Sequence, residues 1–188
     1  MIAGVDEAGR GPLAGPVTVA AVILKTIPDG LNDSKKLSLK KRLALLPVIK
    51  STAVAWSVVH VSPEDIDVRN ILQATLLGMA QAVKQLKTQP LEVLVDGNQV
   101  PKINLPCRAI VGGDGLEACI SAASIIAKCH RDALMEELHQ QFPQYGFNRH
   151  KGYPTRQHME ALQQWGPCAI HRRSFAPVKA AEQQGLFL

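Results

Sequence analysis

Four acidic side chains in this sequence each follow a short apolar run. Asp6 and Glu7 follow the first run, Asp96 follows a later one and Asp114 follows a third. Hard divalent cations prefer oxygen ligands, and two of them about 4 Å apart can stabilise both the attacking and the leaving oxygen of a phosphoryl transfer. Four acids brought together without a cation would repel one another. Their types and placement therefore predict a divalent-metal site for phosphoryl transfer.

The segment after Asp6 and Glu7 favours the same chemistry. Gly9-Arg10-Gly11 places one arginine between two glycines. Glycines let the backbone approach a ligand closely, and the planar fork of an arginine suits a phosphate. This stretch therefore indicates a site where metal and phosphate meet.

Each acid also has an ordinary structural interpretation. Asp96-Gly97 is a common turn pair, and Asp114 with Glu117 three residues later fits a helix capping box. Asp6 and Glu7 are neighbours on a predicted strand, where side chains alternate between faces. Both can serve one site only if the strand ends or distorts there, or if Glu7 contributes its backbone carbonyl.

The surrounding pattern predicts the elements that position these residues. We expect strands at 2–6, 16–24, 54–61, 91–95 and 109–111, because these stretches are apolar and rich in β-branched residues. Helical spacing predicts helices at 39–49, 67–87, 116–140 and 155–164. Ser38 can cap the first helix, and Pro47 predicts a kink or an early end in it. Strands separated by helices indicate an α/β fold with a mixed sheet, in which strand ends carry the ligand site.

Composition limits the class of protein. The chain has 188 residues, 46% of them hydrophobic, and a net charge of +5. We expect one domain over 1–188. Residues 142–188 hold six basic and two acidic side chains, a net of +4, and this basic C-terminal segment is typical of a protein that meets a polyanion such as nucleic acid. A solvated basic surface is the alternative.

Several classes of site and location are disfavoured. The four cysteines form no C-x-x-C and predict reduced thiols in a cytoplasmic protein, and the histidines form no H-E-x-x-H zinc motif. The first residues have no basic start of the kind that a signal peptide needs, and the apolar run after Gly11 is too short to span a membrane. We expect a monomer with no membrane partner.

The stretch Gly4–Pro12 resembles the opening motif of the ribonuclease HII family, the type 2 ribonucleases H. The resemblance extends over nearly the whole chain through Leu31–Ser38, Val95–Asn98, Ile120–Lys128, Arg131-Asp132, His150–Thr155 and His171–Phe175. It implies a ribonuclease H-like fold, with a five-stranded mixed β-sheet flanked by helices and a helical C-terminal part.

The resemblance also implies an activity and its residues. The family cleaves the RNA strand of RNA–DNA hybrids and single ribonucleotides embedded in duplex DNA, using Mn²⁺ or Mg²⁺ and leaving 3′-hydroxyl and 5′-phosphate ends. By position, the catalytic and metal-binding carboxylates are Asp6, Glu7, Asp96 and Asp114. Gly9, Arg10 and Gly11 correspond to the ribonucleotide-reading loop, and Tyr153 to the tyrosine that reads the junction.

Other basic residues are candidates for contacts with the phosphate backbone. Lys35 and Lys36 lie in a polar turn, and Arg172 and Arg173 lie in the basic C-terminal segment. Such contacts position a protein on a duplex without specifying sequence. A solvated turn is the alternative for the two lysines.

The sequence departs from the family at one catalytic position. The family usually has Lys-Gly-Asp before its long helix, whereas this chain has Gly112-Gly113-Asp114-Gly115. Asp114 therefore stands on a more permissive backbone without the neighbouring cation, and an altered rate or metal affinity is expected.

The last residues suggest a protein partner. Gln183-Gln184-Gly185-Leu186-Phe187 resembles the Q-x-x-L-F peptide by which bacterial replication and repair proteins bind the sliding clamp. A chance match, or a tail packed on the body of the protein, is the alternative. For the whole chain, the rival functions are a non-catalytic protein that binds RNA–DNA hybrids and a nuclease that cuts DNA without reading the sugar.

Overall fold

Five strands form one mixed sheet in a computed structural model of the protein, which describes residues 1–31 and 37–185. The sheet order is β3-β2-β1-β4-β5; β1, β2 and β3 pair antiparallel, whereas β4 and β5 run parallel to β1. The strands are β1 Ile2–Ala8, β2 Val17–Leu24, β3 Ala53–Val61, β4 Glu92–Asp96 and β5 Cys107–Ile110. The predicted α/β fold with a five-stranded mixed sheet is confirmed.

Seven α-helices flank the sheet or follow it in the described residues. They are α1 Leu39–Thr52, α2 Pro63–Arg69, α3 Ile71–Gln85, α4 Ala118–Gln141, α5 Phe147–His150, α6 Arg156–Trp165 and α7 Ala176–Gly185. Within these ranges no helix has both the length and the apolar character that a membrane crossing requires. The predicted helical C-terminal part is present as α5, α6 and α7.

Two helix predictions are wrong in detail. The early end of α1 at Pro47 is wrong, because the helix continues to Thr52 with Ile49, in the turn after the proline, buried in the core. The helix expected over 67–87 is two helices that break at Asn70, whose φ of 69° is left-handed. The Asn70 side chain accepts a hydrogen bond from the backbone N–H of Gln73 at 3.0 Å, so it caps α3.

The sheet is buried on both faces because strand side chains alternate. On β2, Val19 and Ala21 pack in the hydrophobic cluster that includes residues of α3, whereas Ala20 and Val22 pack in the cluster that includes residues of α1 and α4. A strand covered on both sides needs apolar residues at every position. This explains the unbroken apolar run of β2 in the sequence.

The loop between β1 and β2 holds the C-terminal part to the sheet. Leu13 donates its backbone N–H to Gly152 O at 2.8 Å and accepts from the backbone N–H of Arg172, also at 2.8 Å. Gly15 N–H donates to Ile170 O at 2.9 Å. The loop after Asp6 and Glu7 is therefore packed between the two C-terminal segments 150–153 and 170–172.

Candidate active site

One cavity of about 290 Å³ opens at the sheet edge where β1 and β4 end. Carboxylates from both strands line it, together with residues of the β1–β2 loop and a tyrosine from the C-terminal part. Its lining includes Asp6, Glu7, Gly9, Arg10, Gly11, Asp96 and Tyr153. The structure therefore brings together seven residues that the sequence singled out from three separate regions.

Strand β1 presents both of its acids to this cavity without ending at Asp6. Its pairing with β2 continues in register through Asp6, Glu7 and Ala8, so the expected strand end or distortion is wrong. The parallel pairing with β4 stops earlier, at Val5 opposite Val95. Because β1 extends past its last pair with β4, the side chains of Asp6 and Glu7 both reach the open edge, and the backbone N–H of Glu7 donates to Asp6 Oδ1 at 2.7 Å.

The electrostatics of these two acids suit a cation. Burial raises the pKa of Asp6 well above its usual value, and repulsion from Glu7 raises it further, while a hydrogen bond from Ser124 opposes the rise. Burial also raises the pKa of Glu7, against the attraction of Arg10, whose guanidinium lies 3.6 Å from Oε1. The other oxygen, Oε2, is buried with no hydrogen-bond partner among the described residues.

A hydrogen bond from the backbone of Asp114 to the side chain of Asp96 joins the third and fourth candidate acids. The backbone N–H of Asp114 donates to Asp96 Oδ1 at 3.4 Å, and Asp114 is buried in a 3-10 turn over Gly113–Gly115. Asp114 lines an adjacent depression with Leu31 and Ser121, whereas Asp96 lines the main cavity. The structure therefore gathers three of the four candidate acids in one cavity and places the fourth beside it.

The glycines around Asp114 make this turn feasible. Gly112 has a left-handed φ of 68°, and a Cβ on Gly113 would lie 2.6 Å from Ile120 Cδ1. A side chain at Gly112 would strain the backbone of the turn, whereas one at Gly113 would require the Ile120 side chain to move. The capping-box alternative for Asp114 is wrong, because α4 begins after Glu117 with no side-chain cap hydrogen bond.

The loop and the tyrosine are close neighbours in the lining of the cavity. Gly9 has a φ of 94°, and a Cβ on Gly11 would lie 3.5 Å from the ring of Tyr153. Tyr153 is 42% exposed, which leaves part of its ring open to a ligand. A ligand beside the carboxylates can therefore contact the glycine backbone and the aromatic ring together.

Three polar residues of the cavity were missed in the sequence. Arg42 on α1 and Ser124 and Lys128 on α4 line it, and Lys128 pairs with Asp132 at 2.8 Å. The spacing of Ser124 and Lys128 was a usable signal, since residues four apart share one helix face. They are two of the few polar positions in the mainly small and apolar first half of α4.

The expected phosphate contact of Arg172 is wrong in this structure. Its side chain is completely buried and donates to the backbone carbonyls of Gly9, Arg10 and Gly15. Arg173 does not line the cavity; its side chain, half exposed, pairs with Glu182. Lys35 and Lys36 lie outside the described residues.

The described residues hold no ready-made cluster of three or more His, Cys, Asp or Glu side chains for a metal ion. The donor set at the cavity nevertheless fits a hard divalent cation. It includes the carboxylates of Asp6 and Glu7, whose ionised forms are destabilised by burial and by repulsion from neighbouring carboxylates, and a cation relieves both. The four cysteines are free thiols.

Comparison with known proteins points to one family. A family model described as ribonuclease HII matches residues 3–178. The chain is 58% identical over 183 residues to the ribonuclease HII of Vibrio parahaemolyticus serotype O3:K6 (strain RIMD 2210633), covering 96% of this chain and 87% of the relative. Among solved structures, ribonuclease H2 from Pyrococcus horikoshii OT3 is similar with a TM-score of 0.83 and 29% identity over 97% of each chain. The RNase HII of Archaeoglobus fulgidus, solved in a complex with PCNA, gives a TM-score of 0.77 and 30% identity over 92% of this chain and 93% of that one.

Proposed function

Because this chain belongs to the ribonuclease HII family, we propose that it cuts both RNA–DNA hybrids and single ribonucleotides embedded in duplex DNA. Family membership makes it a nuclease of the ribonuclease H type. The cut we propose falls on the 5′ side of the ribonucleotide–deoxyribonucleotide junction and leaves 3′-hydroxyl and 5′-phosphate ends.

The observation that carries this proposal is the shared cavity. Carboxylates of β1 and β4, the Gly9–Gly11 loop and Tyr153 all line it. A site that only bound nucleic acid would gain nothing from buried acids beside a phosphate, since like charges repel. This argues against the non-catalytic hybrid-binding alternative.

The loop and the tyrosine would read the sugar. RNA differs from DNA at the 2′-hydroxyl, which both donates and accepts hydrogen bonds. The backbone of Gly9 and Gly11 can approach that hydroxyl closely, and Arg10, whose side chain is 48% exposed, can hold the adjacent phosphate. Tyr153 offers a flat ring to the neighbouring sugar. These contacts argue against a nuclease that cuts DNA without reading the sugar.

The acids would hold Mn²⁺ or Mg²⁺, a cofactor class that the ribonuclease H family requires. When bound, two such ions supply an activated water and stabilise the charge on the leaving oxygen. We propose Asp6, Glu7, Asp96 and Asp114 as their ligands. Ser124 would orient Asp6 through its hydrogen bond, and Arg10 would hold Glu7 in place.

The deciding experiment uses a DNA duplex that carries one ribonucleotide, incubated with Mn²⁺ or Mg²⁺. We expect a single cut on the 5′ side of the junction, and no cut in the same duplex made only of DNA. Asp6→Asn should lower the rate by about 10²–10³-fold or more, because a buried charge beside the reacting phosphate is lost. Asp29→Asn, a change at an exposed acid, is the matched control and should leave the rate unchanged. The absence of a metal-dependent cut by the unmodified protein would refute the proposal.

A sliding clamp is the protein partner that we propose. The segment 183–187 resembles a clamp-binding peptide, and one similar protein has been solved with PCNA. Gln183 is exposed in α7, two residues before the last residue of that helix, and Leu186 and Phe187 lie outside the described residues. Deleting residues 183–188 should abolish clamp binding and leave hydrolysis unchanged. An intact protein that does not bind the clamp would contradict this.

A further inference from the structure

Two arginines, Arg131 and Arg172, are buried beneath the loop that carries Gly9, Arg10 and Gly11. Their exposed fractions are 1% and 0%. Among the described residues neither forms an ion pair with an Asp or Glu side chain. All of their hydrogen bonds go to backbone carbonyls instead.

Arg172 binds the start and the end of the loop. It donates from Nη2 to Gly9 O at 2.6 Å and from Nη1 to Arg10 O at 2.9 Å. A third bond runs from Nε to Gly15 O at 2.9 Å. The planar guanidinium therefore fixes three carbonyls relative to one another.

Arg131 joins the loop to the segment that carries the tyrosine. It donates from Nε to Pro16 O at 3.0 Å and from Nη2 to Ala14 O at 3.2 Å. Its Nη1 donates to Lys151 O at 2.9 Å, two residues before Tyr153. A Cβ on Gly9 would lie 1.9 Å from Nε, so Gly9 sits directly on this side chain.

The cost of this arrangement indicates a purpose beyond packing. Burial lowers the pKa of Arg131 to about 10 and that of Arg172 to about 9. Burying a charge without a counter-ion is costly, and an apolar side chain of similar size would avoid that cost but leave the six carbonyls without these donors. A guanidinium differs from such side chains because its rigid fork fixes the direction of each carbonyl that it contacts.

Fixing the carbonyls also fixes donors on the opposite edge of the peptide planes. The carbonyl of Gly9 shares a plane with the N–H of Arg10, and the carbonyl of Arg10 shares a plane with the N–H of Gly11. Because Arg172 holds both carbonyls, the directions of both N–H groups are set before any ligand arrives. Binding then costs less conformational entropy.

We propose that Arg131 and Arg172 are positioning residues for sugar discrimination. Arg172 presets the N–H groups of Arg10 and Gly11 for a ribose 2′-hydroxyl, and Arg131 holds Tyr153 in register with them. This inference rests on the proposed function. It adds that the preference for ribonucleotides depends on two side chains that do not line the cavity.

The test measures binding in the Asp6→Asn background, so that the substrate is not consumed. Dissociation constants are compared for a duplex with one ribonucleotide and for the same duplex made only of DNA. Arg172→Lys and Arg131→Lys should each reduce the preference for the ribonucleotide by about tenfold, equivalent to about 1.4 kcal/mol. Affinity for the all-DNA duplex should be unchanged, because the phosphate contacts remain.

Two controls separate positioning from general stability. Arg108→Lys changes an exposed arginine that pairs with Glu92, and it should leave the preference intact. Val83→Ala weakens the core at α3 and should lower stability without changing the preference. If Val83→Ala reduces the preference as much as the arginine variants do, the inference is wrong.

Backbone hydrogen exchange tests the loop independently of nucleic acid. In each arginine variant, exchange should become faster for residues 9–16 and 151–153 and stay unchanged in β2 and α3. If the Asp6→Asn parent shows no ribonucleotide preference, the proposed sugar reading fails, and exchange alone decides whether the arginines fix the loop. Unchanged exchange with unchanged preference would overturn the inference.

Discussion

Gly4 of β1 lies directly against the backbone of Cys119 in the first turn of α4. A Cβ on Gly4 would fall 2.1 Å from the Cys119 carbonyl carbon. Strand and helix therefore touch backbone to backbone, two residues before Asp6. This close approach brings α4 near enough for Ser124 to hydrogen-bond the Asp6 carboxylate.

Gly4→Ala should push β1 away from α4. Because the obstruction is backbone and not a flexible side chain, we expect a loss of about 3 kcal/mol or more in the free energy of unfolding. Urea denaturation measures it. Gly11→Ala is the control: its Cβ would meet only ordinary contacts near Tyr153, so stability should stay within about 1 kcal/mol. Equal stability of the Gly4→Ala variant and the unmodified protein would contradict the backbone contact.

Asp6→Asn should stabilise the protein at neutral pH in the absence of divalent cations. The pKa of Asp6 is raised in the folded state, so this carboxyl contributes most to folding stability below its unfolded-state pKa. That contribution is lost as pH rises through the folded-state pKa. Removing the charge should therefore raise the unfolding free energy at pH 7, which urea denaturation measures. The gain should vanish at low pH, where the carboxyl is protonated in both states.

Added Mn²⁺ or Mg²⁺ should reverse this difference. A cation that binds only the folded state stabilises it by mass action, and the unmodified protein has the extra anionic ligand. We expect thermal denaturation to show a larger metal-induced rise in Tm for the unmodified protein than for Asp6→Asn. Equal rises would exclude Asp6 as a ligand.

Asp67→Ala should loosen the C-terminal helix α7. Asp67 accepts hydrogen bonds from the backbone N–H groups of Arg173 and Ser174, both at 2.9 Å, in the turn that leads into α7. Losing these bonds should cost about 1–2 kcal/mol, as for a lost helix cap, and should speed hydrogen exchange in 176–185. Asp65→Ala removes only an exposed pair with Arg69 and should cost less than about 1 kcal/mol. Similar costs for the two variants would contradict this role.

A buried chain of histidines should remain neutral well into the acid range. His171 Nδ1 accepts from the Cys168 N–H at 3.0 Å, so the proton of a neutral His171 lies on Nε2 and can be donated to His158 Nε2, also 3.0 Å away. His158 Nδ1–H then donates to Tyr153 O at 2.9 Å. Burial lowers the pKa of His158 to about 4 and that of His171 to about 3.

The lowered pKa values of His158 and His171 make the folded protein less stable as the pH falls. Below about pH 6.5 the unfolded imidazoles take up protons and the folded ones do not, so each group removes up to about 1.4 kcal/mol of stability per pH unit as pH falls. The imidazole NMR signals of His158 and His171 should not titrate between pH 7.5 and pH 5. Titration of either signal near pH 6.5 would contradict the hydrogen-bonded chain.

Local sequence pattern determined where the strands lie and which acids lie on them or follow them. The apolar runs before Asp6, Asp96 and Asp114 are short and β-branched, and strands of that kind form wherever they can be covered on both faces. The order of the motifs along the chain was by itself enough to indicate the family. These features depend on neighbours in the chain, so the amino-acid sequence alone determines them.

Tertiary structure decided the role of each charged residue. Nothing in the sequence distinguishes Arg172 from Arg173, yet one is buried beneath the Gly9–Gly11 loop and the other pairs at the surface with Glu182. Asp6 and Glu7 share a cavity only because β4 stops pairing with β1 at Val5. Whether a charge binds a ligand, a backbone carbonyl or water depends on which distant segments pack around it, and the contact between Gly4 and Cys119 sets that packing at the site.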